Sequence, residues 1–370
     1  MIREASGLLP TNLSCEARSL EPLSAMTAPK VSIIVLNWNG RSDTLECLQS
    51  LRSVDYVRYD IIVVDNGSDD GSVGAIVRRF PEVKVIETGK NLGYAGGNNV
   101  GINYVLNSDA EFVLLLNNDT IVDSNLVSHL VAAARDHADA AFFSPKIYFH
   151  SEPTRIWFAG GKWVEAKARF FHSGYGLEDT NNQFNAIADI DFVCGCALLA
   201  RTSVIRQIGL LDERFFLVFE DVDWCYRARA AGFRLIFVPE AVLWHKVSRS
   251  FGGKTSPVIS YFHTRNRLLW GKKHLSKGGF IALCGAMFSE LIPSFRFPQL
   301  VIDSKFRVSY AKKVYWAFVE YLAYIEKWFA CLRKELATAH VRACLYGVKD
   351  FVLGHFGNPG SSTLERFKKP

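Results

Sequence analysis

Three acidic side chains, Glu220, Asp221 and Asp223, directly follow the apolar, aromatic stretch FFLVF (215 to 219). Acids at a helix start are favoured by the helix dipole, and Asp223 can pair with Arg227 four residues on. That accounts for Asp223 and for part of Glu220, but it leaves Asp221 unexplained. A carboxylate beside Phe219 and Trp224 is partly desolvated, which keeps its pKa in a range useful to a general base. Upstream, LLLNNDT (114 to 120) puts Asn117 and Asp119 two positions apart just past an apolar run. At that spacing two oxygens can converge on a hard divalent cation, Mg²⁺ or Mn²⁺; an Asx turn ending a strand would use the same residues. Because the first ligand is an amide, the cation would bind mainly together with a diphosphate. His245, in a Trp-His-Lys turn after LIFVPEAVLW (235 to 244), is a further candidate ligand, although a lone His also serves as a core residue.

Two loops carry groups suited to a flat or anionic ligand. DNGSDDGS (65 to 72) offers carboxylate, amide and glycine in succession, and Asp65 can accept a base's ring N–H. Asn-Gly and Asp-Gly are also common turn pairs. NLGYAGGNN (91 to 99), with Gly93, Gly96, Gly97 and Asn98, reads as a glycine-rich segment ahead of a helix, with N–H groups free to face a phosphate or sugar. It matches neither the dinucleotide pattern nor the P-loop.

These residues need elements to hold them, and the periodicity supplies them. VSIIVLN (31 to 37), DIIVVDN (60 to 66), EVKVIET (82 to 88) and FVLLLNN (112 to 118) read as strands. Helical stripes lie between them: Thr44, Leu48 and Leu51, capped by Ser42 or Asp43; Val73, Ile76, Val77 and Phe80; a stretch over 97 to 107; and Leu126, Val127, Leu130, Val131 and Ala134. Four strand–helix units predict an α/β fold with a doubly wound, mostly parallel sheet. Ligands of such sheets bind outside the carboxyl ends of the strands. There the sequence places Asn37, then Asp65 with Asn66, then Asn117 with Asn118 and Asp119. Beyond residue 140 the rhythm loosens: AAFFSPKIYF and DFVCGCALLA (191 to 200) are strand-like, with an irregular stretch between them. The expected organisation is a loose tail over 1–30, with Met26 a candidate start, a ligand-binding half over 31–135, a second half over 136–250 and a helical region over 251–370.

The 370 residues are 49% hydrophobic and 22% charged, which excludes a disordered or fibrous chain. No apolar run approaches the roughly 20 residues of a spanning helix, and the first 30 residues lack the apolar core of a secretory signal. Eight cysteines show no C-x-x-C pair, and the expectation is reduced thiols. Charge is uneven: residues 251 to 370 hold 19 Lys and Arg against 7 Asp and Glu, so this end should face something anionic. No nucleic-acid reader motif accompanies those cations.

VSIIVLNWNG, IIVVDNGSDDGS, NLGYAGGNN, LLLNNDT, GLLDERFFLVFEDVDWCYRARAAGF and VPEAVLWHK, with YFHTRNRLLW behind them, occur in the order found in family-2 glycosyltransferases. Over residues 31 to 275 the chain resembles the bacterial rhamnosyltransferase branch. The resemblance implies a GT-A fold, a nucleotide-diphosphate sugar donor and inversion at the anomeric carbon. By the same resemblance Asn37 and Asp65 hold the nucleobase and ribose end, and the segment from Gly93 to Asn98 lines the donor. Asn117 and Asp119 stand in the family's D-x-D place, with Asn where many relatives have Asp, and His245 matches its late metal ligand. Asp221 matches the catalytic base, with Glu220 and Asp223 positioning donor and acceptor.

The expected reaction is metal-assisted inverting transfer of rhamnose from dTDP-rhamnose to a lipid-linked or cell-surface glycan. A UDP-sugar donor such as UDP-galactofuranose and a non-catalytic sugar-nucleotide-binding protein are the alternatives. The C-terminal stripe Val314, Phe318, Tyr321, Ile325, Trp328 and Leu332, and the shorter stretch Phe280, Leu283, Met287, Phe288 and Leu291, suit an anionic membrane surface. They equally suit packing within the chain or a helix–helix dimer. The matching location is the cytoplasm, at the inner face of the cell membrane.

Overall fold

The computed structural model describes residues 28–164, 168–180, 183–247, 256–291 and 338–360. Nearly all of the expected tail, and the whole stripe from Val314 to Leu332, lie outside them. Four strands, β1 (Val31–Asn37), β2 (Tyr59–Asp65), β3 (Lys84–Glu87) and β4 (Phe112–Asn117), form a parallel sheet in the order β3-β2-β1-β4. The interior residues of β1, β2 and β4 are almost fully buried, which is why they read as apolar runs rather than as alternation, whereas Val85 and Ile86 of the edge strand β3 are only partly buried.

The crossovers are α1 (Arg41–Leu51), α2 (Ser72–Arg79) and α3 (Gly93–Leu106). In α1 the expected face is buried, but neither Ser42 nor Asp43 caps the helix. Asn37 Oδ1 instead accepts the Gly40 N–H, and Asp70 Oδ2 accepts that of Arg41, so the cap comes from neighbouring loops. In α2 Val77 faces solvent while Ile76 and Phe80 are buried. The largest difference is in α3, which starts at Gly93 rather than near 97. The glycine-rich segment is therefore the first turns of the helix and not a loop ahead of it. A Cβ at Gly97 would lie 2.5 Å from Leu36, so the glycine lets α3 approach the sheet closely.

The second half extends the same sheet. After a short strand β5 (Thr120–Val122) and α4 (Leu126–Asp136) come β6 (Ala140–Phe149), β7 (Glu152–Phe158) and the hairpin of β8 (Gly161–Val164) with β9 (Arg169–His172). Then follow β10 (Ala188–Asp189), β11 (Ala197–Arg201), α5 (Thr202–Ile208), α6 (Glu220–Ala230) and β12 (Arg234–His245). Strand β11 inserts antiparallel between β4 and β6, and β12 runs parallel to β6 on the far side. The strand expected over 191–200 begins only at Ala197: Phe192 makes an isolated bridge to Gly161, and residues 195 and 196 turn the chain into β11. Pro239, with no N–H for the ladder, sits in the register shift of β12 between Val238 and Val242.

Three further helices, α7 (Pro257–His274), α8 (Lys277–Leu291) and α9 (Ala339–Leu353), pack on one another. Leu283 of α8 is fully buried against Gly271 of α7, and Phe280 packs on Phe351 of α9. Ile281 and Phe288 face outward. The short amphipathic stretch thus divides between packing within the chain and an exposed face. Among the described residues no helix is long and apolar enough to cross a membrane.

Candidate active site

At the carboxyl end of β1, Asn37 is fully buried and joins three segments. Its amide nitrogen donates to Asp65 Oδ2 at 2.7 Å and to Ser68 Oγ at 3.1 Å. Its oxygen accepts from Thr44 at 2.8 Å and from Asn118 at 3.3 Å. Asp65 also accepts the Ser68 N–H. Asn66 donates to the Gly93 carbonyl and accepts from the Leu92 N–H, which ties the end of β2 to the start of α3. The structure brings together Asn37, Asp65, Asn66 and Asn118 as expected, and shows what their side chains do locally: they hold one another and the loops. Gly96 and Gly97 are buried inside α3, and Asn98 donates to the Tyr94 carbonyl one turn back.

One strand end along, Asp119 Oδ1 lies 3.1 Å from His245 Nε2, with both side chains buried. His245 closes β12 rather than standing in a turn beyond it. Strand β5 brings it to Asp119 by pairing Thr120 with His245, and the Lys246 N–H donates to the Asp119 carbonyl. Trp157 packs edge-on against the imidazole at 4.6 Å. His245 Nδ1 is a buried polar atom that makes no hydrogen bond in the protein. Among the described residues no three His, Cys, Asp or Glu side chains form a cluster able to hold a metal. A carboxylate oxygen and an imidazole nitrogen at this separation nevertheless fit a divalent cation that takes its other ligands from the Asn117 amide or from substrate oxygens.

The third group is the start of α6. Both oxygens of Asp221 accept backbone N–H groups, Oδ2 from Gly195 at 2.9 Å and Oδ1 from Val222 at 2.7 Å. The Gly195 carbonyl accepts from the Tyr94 hydroxyl of α3. Gly195 therefore links α3 to Asp221 through its two flanking peptides, and the carbonyl of the next residue, Cys196, accepts the Asn117 N–H at 2.9 Å. Burial raises the Asp221 pKa above the ordinary aspartate value, and the two N–H groups partly offset this. Glu220 is raised further, first by burial and then by the Asp221 charge, and its Oε2 is buried with no hydrogen-bond partner in the protein. Asp223 behaves differently. Burial alone would raise it, but His274 at 2.7 Å, Lys273 at 2.6 Å and Arg227 at 3.0 Å hold it below the ordinary value. The expected Arg227 pair is present, and Asp223 joins α6 to the end of α7.

The loop into α6 holds an unusual backbone. Phe216, Val218 and Phe219 all have positive φ, at 63°, 68° and 81°. Each such non-glycine residue costs about 1–2 kcal/mol, so the loop needs partners. The Phe216 carbonyl accepts the Tyr94 N–H at 2.6 Å, and a Cβ at Gly93 (φ 74°) would collide with Phe216 at 2.5 Å. From α7, buried Arg265 and Asn266 reach the carbonyls of the loop. Periodicity gave no sign of Tyr94, Gly195, Arg265 or Asn266. The ordered motifs contain Tyr94, Arg265 and Asn266, whereas Gly195 lies outside them in DFVCGCALLA.

Between α7, α8 and α9 runs an apolar groove of about 650 Å³, lined by Leu268, Cys284, Met287 and Val352 among others. His263 and Arg267 border it. His263 packs on Phe219, and burial lowers its pKa to about 4. Arg267 is paired with Glu290 at 2.7 Å.

Known proteins resemble this chain in sequence and in fold. The family model "Glycosyltransferase like family 2" covers residues 29–260. A low-salt glycan biosynthesis hexosyltransferase, Agl10 of Haloferax volcanii, is 28% identical over 54% of this chain, which spans 61% of that relative's length. The N-acetylglucosaminyl-diphospho-decaprenol L-rhamnosyltransferase of Mycobacterium tuberculosis is 26% identical over 58% of this chain and 75% of its own. The rhamnosyltransferase WbbL of Escherichia coli K12 is 26% identical over 60% and 87%. Among solved structures, a mannosyltransferase of Pyrobaculum calidifontis, in complex with GDP-Man and Mn²⁺, superposes with a TM-score of 0.52 at 15% identity, over 89% of each chain. The fold is GT-A, and the chain belongs to glycosyltransferase family 2.

Proposed function

We propose that the protein transfers a sugar, with inversion, from a nucleoside-diphosphate donor, dTDP-rhamnose, to a lipid-linked or cell-surface glycan. The observation that carries this is Asp221: its carboxylate is fixed by two backbone N–H groups beside the strand ends that hold Asp119 and His245. In this reading one oxygen of Asp221 takes the proton of the acceptor hydroxyl as that oxygen bonds to the anomeric carbon. The bond from that carbon to the diphosphate breaks on the opposite face. The raised pKa strengthens Asp221 as a base. Glu220, in its protonated form, donates a hydrogen bond to the acceptor. A single carboxylate base is enough because no covalent sugar–enzyme intermediate forms.

Asp119 and His245, with Asn117 beside them, would hold Mg²⁺ or Mn²⁺, which when bound stabilises the negative charge of the leaving diphosphate. Asp65 faces the nucleoside, oriented by Asn37 and Asn118; Asn66 and the first turn of α3, from Gly93 to Asn98, shape the donor wall. Asp223 acts on the site by anchoring α6.

An acceptor with a hydrocarbon anchor is supported by the apolar groove behind Phe219 and by the basic charge of residues 251–370. The same features support a peripheral position at the inner face of the cell membrane. Calorimetry or thermal shift with dTDP, UDP, GDP and their sugars, with and without Mn²⁺ or Mg²⁺, tests the donor. Metal-dependent selection of dTDP-rhamnose is the expected result. Selection of a UDP-sugar would replace the rhamnosyl assignment, and no nucleotide binding would remove the enzymatic reading.

A further inference from the structure

Asn266 sits on α7, outside the carboxyl-end loops, yet its side-chain nitrogen faces three carbonyls of the loop that delivers Glu220 and Asp221. The distances are 2.8 Å to Phe215, 2.8 Å to Leu217 and 2.7 Å to Val218. The amide cannot turn over, because Arg265 Nε donates to its oxygen at 3.0 Å. The same guanidinium reaches the Phe215 carbonyl at 2.9 Å and the Gly357 carbonyl at 2.9 Å. Both side chains are fully buried. The gripped carbonyls, of Phe215, Leu217 and Val218, belong to the peptides that lead into Phe216, Val218 and Phe219, the residues whose left-handed backbone L side chains disfavour, the last being the cap residue of α6. A buried carbonyl turned inward by such a backbone needs a donor, and an orientation that costs energy persists only where its surroundings impose it.

We infer that Asn266, locked by Arg265, is a positioning residue for the reaction: it holds the 215–219 loop in its left-handed path and so sets where the Asp221 carboxylate stands. The inference rests on the reading of Asp221 as the base. Asn266 touches neither donor nor acceptor, so its loss should slow turnover without weakening donor binding. A misplacement of about 1 Å can cost on the order of 100-fold in rate.

The test separates positioning from folding. Asn266→Ala, Val218→Gly and the double variant are compared in melting temperature, kcat and donor affinity, with Asp221→Ala alongside. Glycine at position 218 adopts the left-handed backbone without strain. The expected result is that Asn266→Ala lowers both melting temperature and kcat, the latter at least about tenfold, with donor affinity within about twofold. The double variant should recover melting temperature but not kcat, judged against Val218→Gly alone. Recovery of kcat together with melting temperature, or an undiminished kcat in Asn266→Ala, would overturn the inference. Turnover retained in Asp221→Ala would instead sink the base assignment beneath it.

Discussion

Asp119 and His245 are 126 positions apart and meet at 3.1 Å, because β5, three residues long, pairs antiparallel with the last turn-free residues of β12. The contact depends on a register, not on a local motif. Asp119→Ala and His245→Ala should each weaken the response of activity to added Mn²⁺ or Mg²⁺ after treatment with a chelator. A metal titration unchanged from wild type in either variant would remove that residue from the ligand set.

Asp221→Asn keeps the shape of the side chain but cannot take a proton, and its amide nitrogen can no longer accept one of the two backbone N–H groups. Turnover should fall by about 10²–10⁴, with nucleotide affinity measured by calorimetry essentially retained. Comparable turnover would place the base elsewhere.

Glu220 gives a prediction with a pH sign. Its folded-state pKa is raised, so the native state binds the proton more tightly than the unfolded chain does. The stability associated with that proton is fully present below about pH 4.3, the ordinary value, and is lost as pH rises through the folded value. Glu220→Gln removes this loss and keeps a donor toward the acceptor. The variant should melt at a higher temperature than wild type at neutral pH, with a flatter dependence on pH, and be more active than Glu220→Ala. A wild-type melting curve that does not respond to this exchange would show Glu220 to be ionised without cost.

Asp223 carries the opposite sign. Its pKa is depressed, so its contribution is present above about pH 4 and is lost as pH falls through the folded value. Asp223→Asn leaves Lys273 and His274 without their shared carboxylate. Removing one partner of a buried ion pair costs about 3–5 kcal/mol, which denaturant unfolding would detect. The variant should also lose less stability than wild type on acidification.

At Gly195 a Cβ would stand 2.7 Å from the Tyr94 hydroxyl. Gly195→Ala should push the turn off Asp221 and reduce kcat, while Tyr94→Phe, which removes only the hydroxyl bonded to the Gly195 carbonyl, should do so less. Equal effects, or none, in a steady-state comparison would mean that this peptide does not hold the carboxylate.

The parallel half of the fold was legible in the kind and order of its elements. Strands buried on both faces must be unbroken apolar runs, so β1 and β4 announce themselves, and the polar residues that end them mark the ligand edge of the sheet. The acidic start of α6 and the Asp223–Arg227 pair follow from local spacing of the same kind. What tertiary structure alone decided is everything that depends on strand order. The insertion of β11 between β4 and β6, and the pairing of β5 with β12, carry no periodic signal, since three residues are too few to show one. They bring Asp119 to His245 and Gly195 to Asp221. The helical glycines of α3 misled because small residues look alike in a loop and against a sheet. The left-handed backbone before Glu220 was invisible because Phe, Val and Phe are the residues least expected to adopt it. It exists because Arg265 and Asn266, about 50 residues further on, supply the donors its carbonyls require.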